Sequence, residues 1–235
     1  MSIKPILFNT EMVKAILEGR KTMTRRVVKE KGWKITGKPR FEAEGFWFNV
    51  CQNNKEENVR TATCHKLKPP YQIGDIMYVR ETFRVDYLSN IIGSGRVQYK
   101  ADGSFADIHF EADRYDIMRR ANRLVWRPNE NMPREAARIF LRVTDIRAEK
   151  LREITKIEAQ QEGQPECTGG IMACGGQDSC FDCKSSYENA IRWFSGVWDS
   201  TIKPADRDHC GWNANPWVWV IEFERCEKPK EWGNV

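Results

Sequence analysis

The residues best suited to chemistry cluster between Gly19 and Arg40, where the chain reads GRKTMTRRVVKEKGWKITGKPR. From Arg20 to Arg40, nine cations (Arg20, Lys21, Arg25, Arg26, Lys29, Lys31, Lys34, Lys38 and Arg40) stand against one acid, Glu30. That local excess of +8 exceeds the +5 carried by all 235 residues, so the remainder is slightly acidic. Thr22 and Thr24 add hydroxyls, and Trp33 adds an aromatic ring. Cations interleaved with hydroxyls and a ring are the footprint expected for a polyanion whose bases can stack. A solvated basic loop carries the same charge pattern, and charge alone does not separate the two.

Other candidates lie farther along. Glu81, in VRETF, fits either a nucleobase amino group or an ion pair with an arginine of the basic stretch. Trp126 and Trp217 fit either base stacking or a core position. Cys167, Cys174, Cys180 and Cys183 follow a C-x6-C-x5-C-x2-C pattern within a glycine-rich segment. Four thiolates at that spacing can close a tetrahedral structural zinc site with no open position for water, and free thiols in a loop are the alternative. His209 and Cys210 are reserve ligands. Cys51, Cys64 and Cys226 read as ordinary thiols, and His65 and His109 carry no signal.

The elements that must position these residues are short. Ile3–Phe8 reads as a strand, and Asn9 or Thr10 caps a helix carrying Met12, Val13, Ile16 and Leu17 that stops at Gly19. β-Branched residues predict a strand over 21–28, ended by Gly32, Gly37 and Pro39. Residues 41–70 suggest a hairpin with QNNKEEN at its tip. Strands are expected at 76–83, 97–100, 124–128, 139–146 and 216–224, with MPREAAR as a turn or short helix. The acid-rich run 102–116 reads as a surface excursion. Helices are expected over 151–161, with Thr155 and Glu158 spaced as a capping box, and over 187–198. No internal repeat or linker divides the chain. One α+β domain over 1–235 is expected, a small barrel with flanking helices and insertions at about 31–70, 85–122 and 163–184.

Composition narrows the class. Hydrophobic residues at 40% and charged residues at 30% describe a globular chain with a real core, and nine tryptophans suit a sheet-rich one. No apolar run approaches a membrane span of about 20 residues. The first residues, MSIKPILFNTEM, lack the apolar core of a signal peptide, so a cytoplasmic protein with reduced or metal-bound cysteines is expected.

The segments ILFNTEMVKAILEGRKTMTRR, GDIMYVRETF, MPREAARIFLRVTDIR, LREITKIEAQQEG and NPWVWVIEFER, in this order, resemble the ASCH-domain family. These are PUA-like β-barrel proteins associated with RNA, and the chain is most similar to their larger phage and prophage members. The resemblance implies binding of RNA or a modified nucleoside in a cleft. One branch of the family consists of small N4-acetylcytidine amidohydrolases, whose GRKTxTxR segment matches Gly19, Arg20, Lys21, Thr22, Thr24 and Arg26. Their TxxxAxQE pattern falls on Thr155, Ala159, Gln161 and Glu162. Lys21 as base, Thr24 as nucleophile and Glu162 as orienting acid or base are therefore implied, in a chain more than twice as long as those enzymes. Arg20, Thr22, Arg25, Arg26 and Glu81 would line the substrate, and no organic cofactor is expected.

The implied chemistry is physically coherent. A threonine hydroxyl needs a nearby base, and a lysine is a base only where burial or neighbouring cations favour its neutral form. On an ideal strand, positions three apart face opposite sides, so Lys21 and Thr24 can serve one pocket only if a turn intervenes after Gly19. Without catalysis, the same residues would bind phosphate or a base, giving a non-catalytic nucleic-acid module. A phage regulator that binds a host protein is a third reading.

Overall fold

A computed structural model describes residues 1–29, 34–42, 45–54, 59–89, 93–110, 125–165 and 187–233. The chain forms two compact units: 1–21, 74–143 and 223–235 in the first, 22–73 and 144–222 in the second. The strands are β1 (Ile3–Leu7), β2 (Met23–Val27), β3 (Lys34–Glu42), β4 (Gly45–Asn54), β5 (Val59–Leu67), β6 (Ile76–Arg80), β7 (Phe83–Leu88), β8 (Ser94–Tyr99), β9 (Phe105–His109), β10 (Phe140–Lys150) and β11 (Trp217–Cys226). The helices are α1 (Thr10–Leu17), α2 (Lys156–Gln161), α3 (Tyr187–Thr201) and α4 (Arg207–Cys210). The mixed sheet with a few helices agrees with the α+β expectation. Five strands follow the order β1-β6-β10-β11-β2. That order has two unjoined ends, so among the described residues no closed barrel forms.

In the first unit, β1 pairs in parallel with β6, from Ile3 opposite Ile76 to Leu7 opposite Arg80. The buried carboxylate of Asp75 ties them, accepting from the Ser2 amide (2.7 Å) and the Lys4 ammonium (3.0 Å). The Asn9 side chain caps α1 by accepting from the Met12 amide at 2.9 Å, and Val13, Ala15 and Ile16 form its buried face. Gly19 leaves the helix at φ 77°, a left-handed turn that glycine adopts without strain. The chain then folds back so that the Arg20 and Lys21 amides both donate to the Ala15 carbonyl, at 2.8 and 3.0 Å. Strands β7, β8 and β9 form an antiparallel meander over Phe83, Val85, Val97, Tyr99, Phe110, Met132 and Phe140. Gly95 is required there, because an added Cβ would lie 2.8 Å from Leu88 and 2.9 Å from the Tyr87 carbonyl. Part of the expected acidic excursion is thus strand β9. Of the strand expected at 124–128, the described residues 125–128 keep a single bridge, between Phe83 and Arg127.

In the second unit, β2 pairs antiparallel with β11. Its core holds Met23, Leu151, Ile154, Ala159, Ala190, Phe194, Trp198, Val218 and Val220, so α2 and α3 cover one face of these strands. The single helix expected over 151–161 is divided. A 3-10 turn spans Leu151–Glu153, and Thr155, extended at φ −87° and ψ 167°, starts α2 as its cap. The capping box forms as expected: the Glu158 amide donates to Thr155 Oγ1 (3.2 Å) and the Thr155 amide to Glu158 Oε2 (2.8 Å). The β4–β5 hairpin is also as expected, and β3 pairs beside it. Gly37 and Pro39, expected to end regular structure, instead lie where the β3 register shifts between Thr36 and Arg40, a tolerated place for both.

Candidate functional site

Strand β2 carries the centre of the basic motif, and its alternation sorts those residues. Thr24 and Arg26 lie on one face, opposite Ile221 and Trp219 of β11. Arg26 Nη1 donates to Thr24 Oγ1 at 2.8 Å and to the Arg25 carbonyl at 3.0 Å. Burial lowers the Arg26 pKa, while the nearby phenol of Tyr71 and the carboxylate of Glu162 work the other way. Trp219 meets Phe46 edge-on at 4.9 Å between centroids. A guanidinium donating to Thr24 Oγ1 leaves the hydroxyl proton available to a base and stabilises negative charge developing on that oxygen.

Arg25 lies on the other face with Met23, and its side chain is fully buried. It pairs with Glu149 at 2.6 Å, Glu162 at 3.1 Å and Glu158 at 3.2 Å, and its guanidinium lies 5.7 Å from the Phe194 ring centroid. Arg147 closes the cluster, reaching Glu158 and Glu222 at 2.5 Å, Glu149 at 3.3 Å and Asp145 at 3.4 Å. Burial alone would lower the Arg147 pKa, but the carboxylates of Glu222, Glu149 and Glu158 raise it above its ordinary value. Burial likewise opposes ionisation of Glu158, and it is outweighed by hydrogen bonds from Thr155 and the charge of Arg25, so its pKa falls. Arg25 therefore holds Glu162 inside the unit rather than facing a polyanion. Glu162 sits at the C-cap of α2, where Gly163 turns the chain at φ 102°. The Thr22 amide donates to the Gln161 carbonyl at 2.9 Å, joining the start of β2 to the end of α2.

In the first unit, Lys21 is 2% exposed with Nζ 5.5 Å from the Phe8 ring centroid. It precedes β2, which begins at Met23, so strand alternation does not govern its direction. Arg20 pairs with the exposed Glu18. Glu81 is buried and takes a bidentate pair from Arg138, at 2.8 and 2.9 Å, rather than from an arginine of the basic stretch. Burial raises the Glu81 pKa against the hydrogen bonds and charge of Arg138. Arg138 also donates to Asp102 and Ser104, both at 2.7 Å, and stacks 3.9 Å from the Tyr99 ring centroid. Trp217 is 6% exposed and belongs to the core, whereas Trp126 is 36% exposed.

The four cysteines of the expected zinc site lie outside the described residues. Among the described residues no cluster of metal-ligating side chains forms, and His209 is exposed. An open cavity of about 210 Å³ in the first unit is lined by Met1, Ile76, Arg142, Glu227, Pro229 and Lys230, none of them an expected site residue.

Sequence reasoning missed Arg147, Glu149 and Arg138. A signal existed for the first two. Asp145, Arg147 and Glu149 alternate along β10, which puts three charges on one face of a strand that needs partners for them.

No family model and no curated protein matches the chain. Among solved structures, the high-resolution crystal structure of an ASCH domain from Lactobacillus crispatus JV V101 aligns with 95% of this chain and 79% of its own, at 11% identity and a TM-score of 0.33. At that score the likeness carries no argument about fold or function.

Proposed function

We propose that this protein is a PUA-like ASCH protein that binds RNA or a modified nucleoside and hydrolyses an N4-acylated cytidine amide. Lys21 serves as base, Thr24 as nucleophile, and Glu162 as the group that orients the base or returns a proton to the leaving amine. Thr22, Arg20 and Arg26 contact the substrate. In the forward step Thr24 Oγ bonds to the acyl carbon and its proton passes to Lys21. The C–N bond breaks as the amine takes a proton, and water then releases the acid from the acyl-enzyme. One observation carries the reading: among the described residues, Lys21, Thr24 and Glu162 are three of the six polar or charged residues that are buried. Burying such groups is costly unless partners or function require it. Arg26 on Thr24 Oγ1 adds a cation where an alkoxide would develop.

The second reading is a non-catalytic nucleic-acid module, in which the Arg25–Glu162 pair gives Glu162 a structural role only. Thr24→Val separates them. Under the enzyme reading the variant retains N4-acetylcytidine binding but loses its conversion to cytidine by about a hundredfold or more. Binding without conversion by the wild type would leave only the module.

A further inference from the structure

The bridge between Phe83 and Arg127 has a consequence for the surface of the β7–β9 meander. Its two hydrogen bonds, 3.2 Å from the Phe83 amide and 2.7 Å from the Arg127 amide, fix an antiparallel register. One step along, Trp126 falls opposite Arg84, whose guanidinium stacks 4.9 Å from the indole centroid. Arg84 is opposite Gln98 on β8, and Gln98 is opposite Phe105 on β9. Trp126, Arg84, Gln98 and Phe105 therefore form one row across the sheet, perpendicular to its strands. Strand spacing makes the row roughly 14 Å long.

The chemistry of this row is unusual for the chain. Both ends are exposed rings, with Phe105 at 51% exposure. Arg84 Nε donates to the neutral Gln98 Oε1 at 2.7 Å, and Lys100 lies 5.9 Å from the same indole. Neither cation has a carboxylate partner among the described residues. Arg96, on the same sheet, is by contrast neutralised by Asp107 at 2.8 Å. An exposed ring flanked by two cations without acid partners attracts a negatively charged chain that also offers flat faces to stack.

We propose that the Trp126–Phe105 row, with Arg84 and Lys100, is a contact surface for single-stranded nucleic acid. Bases stack on Trp126 and Phe105, and the two cations meet phosphates between them. The inference extends the RNA-binding reading to a face of the first unit and is independent of the hydrolysis chemistry.

The test is fluorescence anisotropy of the full chain with a labelled single-stranded RNA of about twelve pyrimidine nucleotides. Trp126→Ala should weaken binding about tenfold, and Trp126→Phe, which keeps a ring, should restore most of it. In Arg84→Gln/Lys100→Gln, the slope of log affinity against log salt should fall by about 1.4, because two phosphates then keep their counterions. Conversion of N4-acetylcytidine by Trp126→Ala should equal that of the wild type. If the wild type converts no nucleoside but its RNA affinity depends on Trp126, this surface stands and the enzyme reading falls. If folded Trp126→Ala and the double variant bind RNA as the wild type does, or the wild type binds none, the proposal is overturned.

Discussion

At the scale of single residues, the basic motif divides into neighbours with different duties. Arg26 and Thr24 share one face of β2, and Arg25 points the other way into a cluster of carboxylates. The cluster holds Asp145, Glu149, Glu158, Glu162 and Glu222 against Arg25 and Arg147, so acids are in excess and each arginine is needed. Arg25→Met should destabilise the protein by about 3–5 kcal/mol, because it removes the fully buried cation that Glu149, Glu158 and Glu162 share. Arg25→Lys should recover only part of that, since an ammonium cannot span three carboxylates with the planar fork of a guanidinium. Urea unfolding of the two variants measures both. An Arg25→Met variant as stable as the wild type would mean that the cluster is not buried as described. The sequence could not show this division. Arg25 and Arg26 are both cations in an apparently continuous patch, and their partners lie as far as 137 residues away.

At the scale of elements, the Glu81–Arg138–Asp102 chain clips the turn between β8 and β9 to the start of β10. Partial burial disfavours the Asp102 carboxylate, but hydrogen bonds from Arg138 and from the Ser104 amide and hydroxyl outweigh it and hold its pKa at about 2. A carboxylate with a folded pKa below its ordinary value stabilises the fold above the ordinary range. That contribution is lost as pH falls toward the folded value. Wild-type stability should therefore fall more between about pH 5 and about pH 2 than that of Asp102→Asn. Equal pH dependence in the two proteins would show that the clip carries no weight. Elements with local stop and start signals were legible in advance: Asn9 and Gly19 bound α1, and Thr155 with Glu158 starts α2. Elements defined by distant partners were not. The run 124–128 has strand-forming side chains, but its described residues, 125–128, keep one bridge, and Pro128 has no amide to extend the ladder. Strand β9 was obscured because three of its five residues are exposed, which leaves little apolar alternation to read.

At the scale of the whole molecule, no helix among the described residues is long and apolar enough to cross a membrane. The resemblance drawn from several ordered motifs is not matched by any family model, so the function rests on the chemistry of particular side chains. We further propose that Cys167, Cys174, Cys180 and Cys183 hold a structural zinc, since four thiolates give a segment poor in apolar residues another source of order. Metal analysis of chelator-free protein should find one zinc per chain, and Cys180→Ser/Cys183→Ser should lose it. Zinc retained by that variant, or absent from the wild type, would remove the site. The hydrolytic role proposed for the buried Lys21 stands or falls on chromatographic conversion of N4-acetylcytidine to cytidine by the wild type and by Lys21→Ala. Turnover by the wild type and a loss of about a hundredfold or more in the variant are expected. Equal rates in the two, or no turnover by either, would contradict that role.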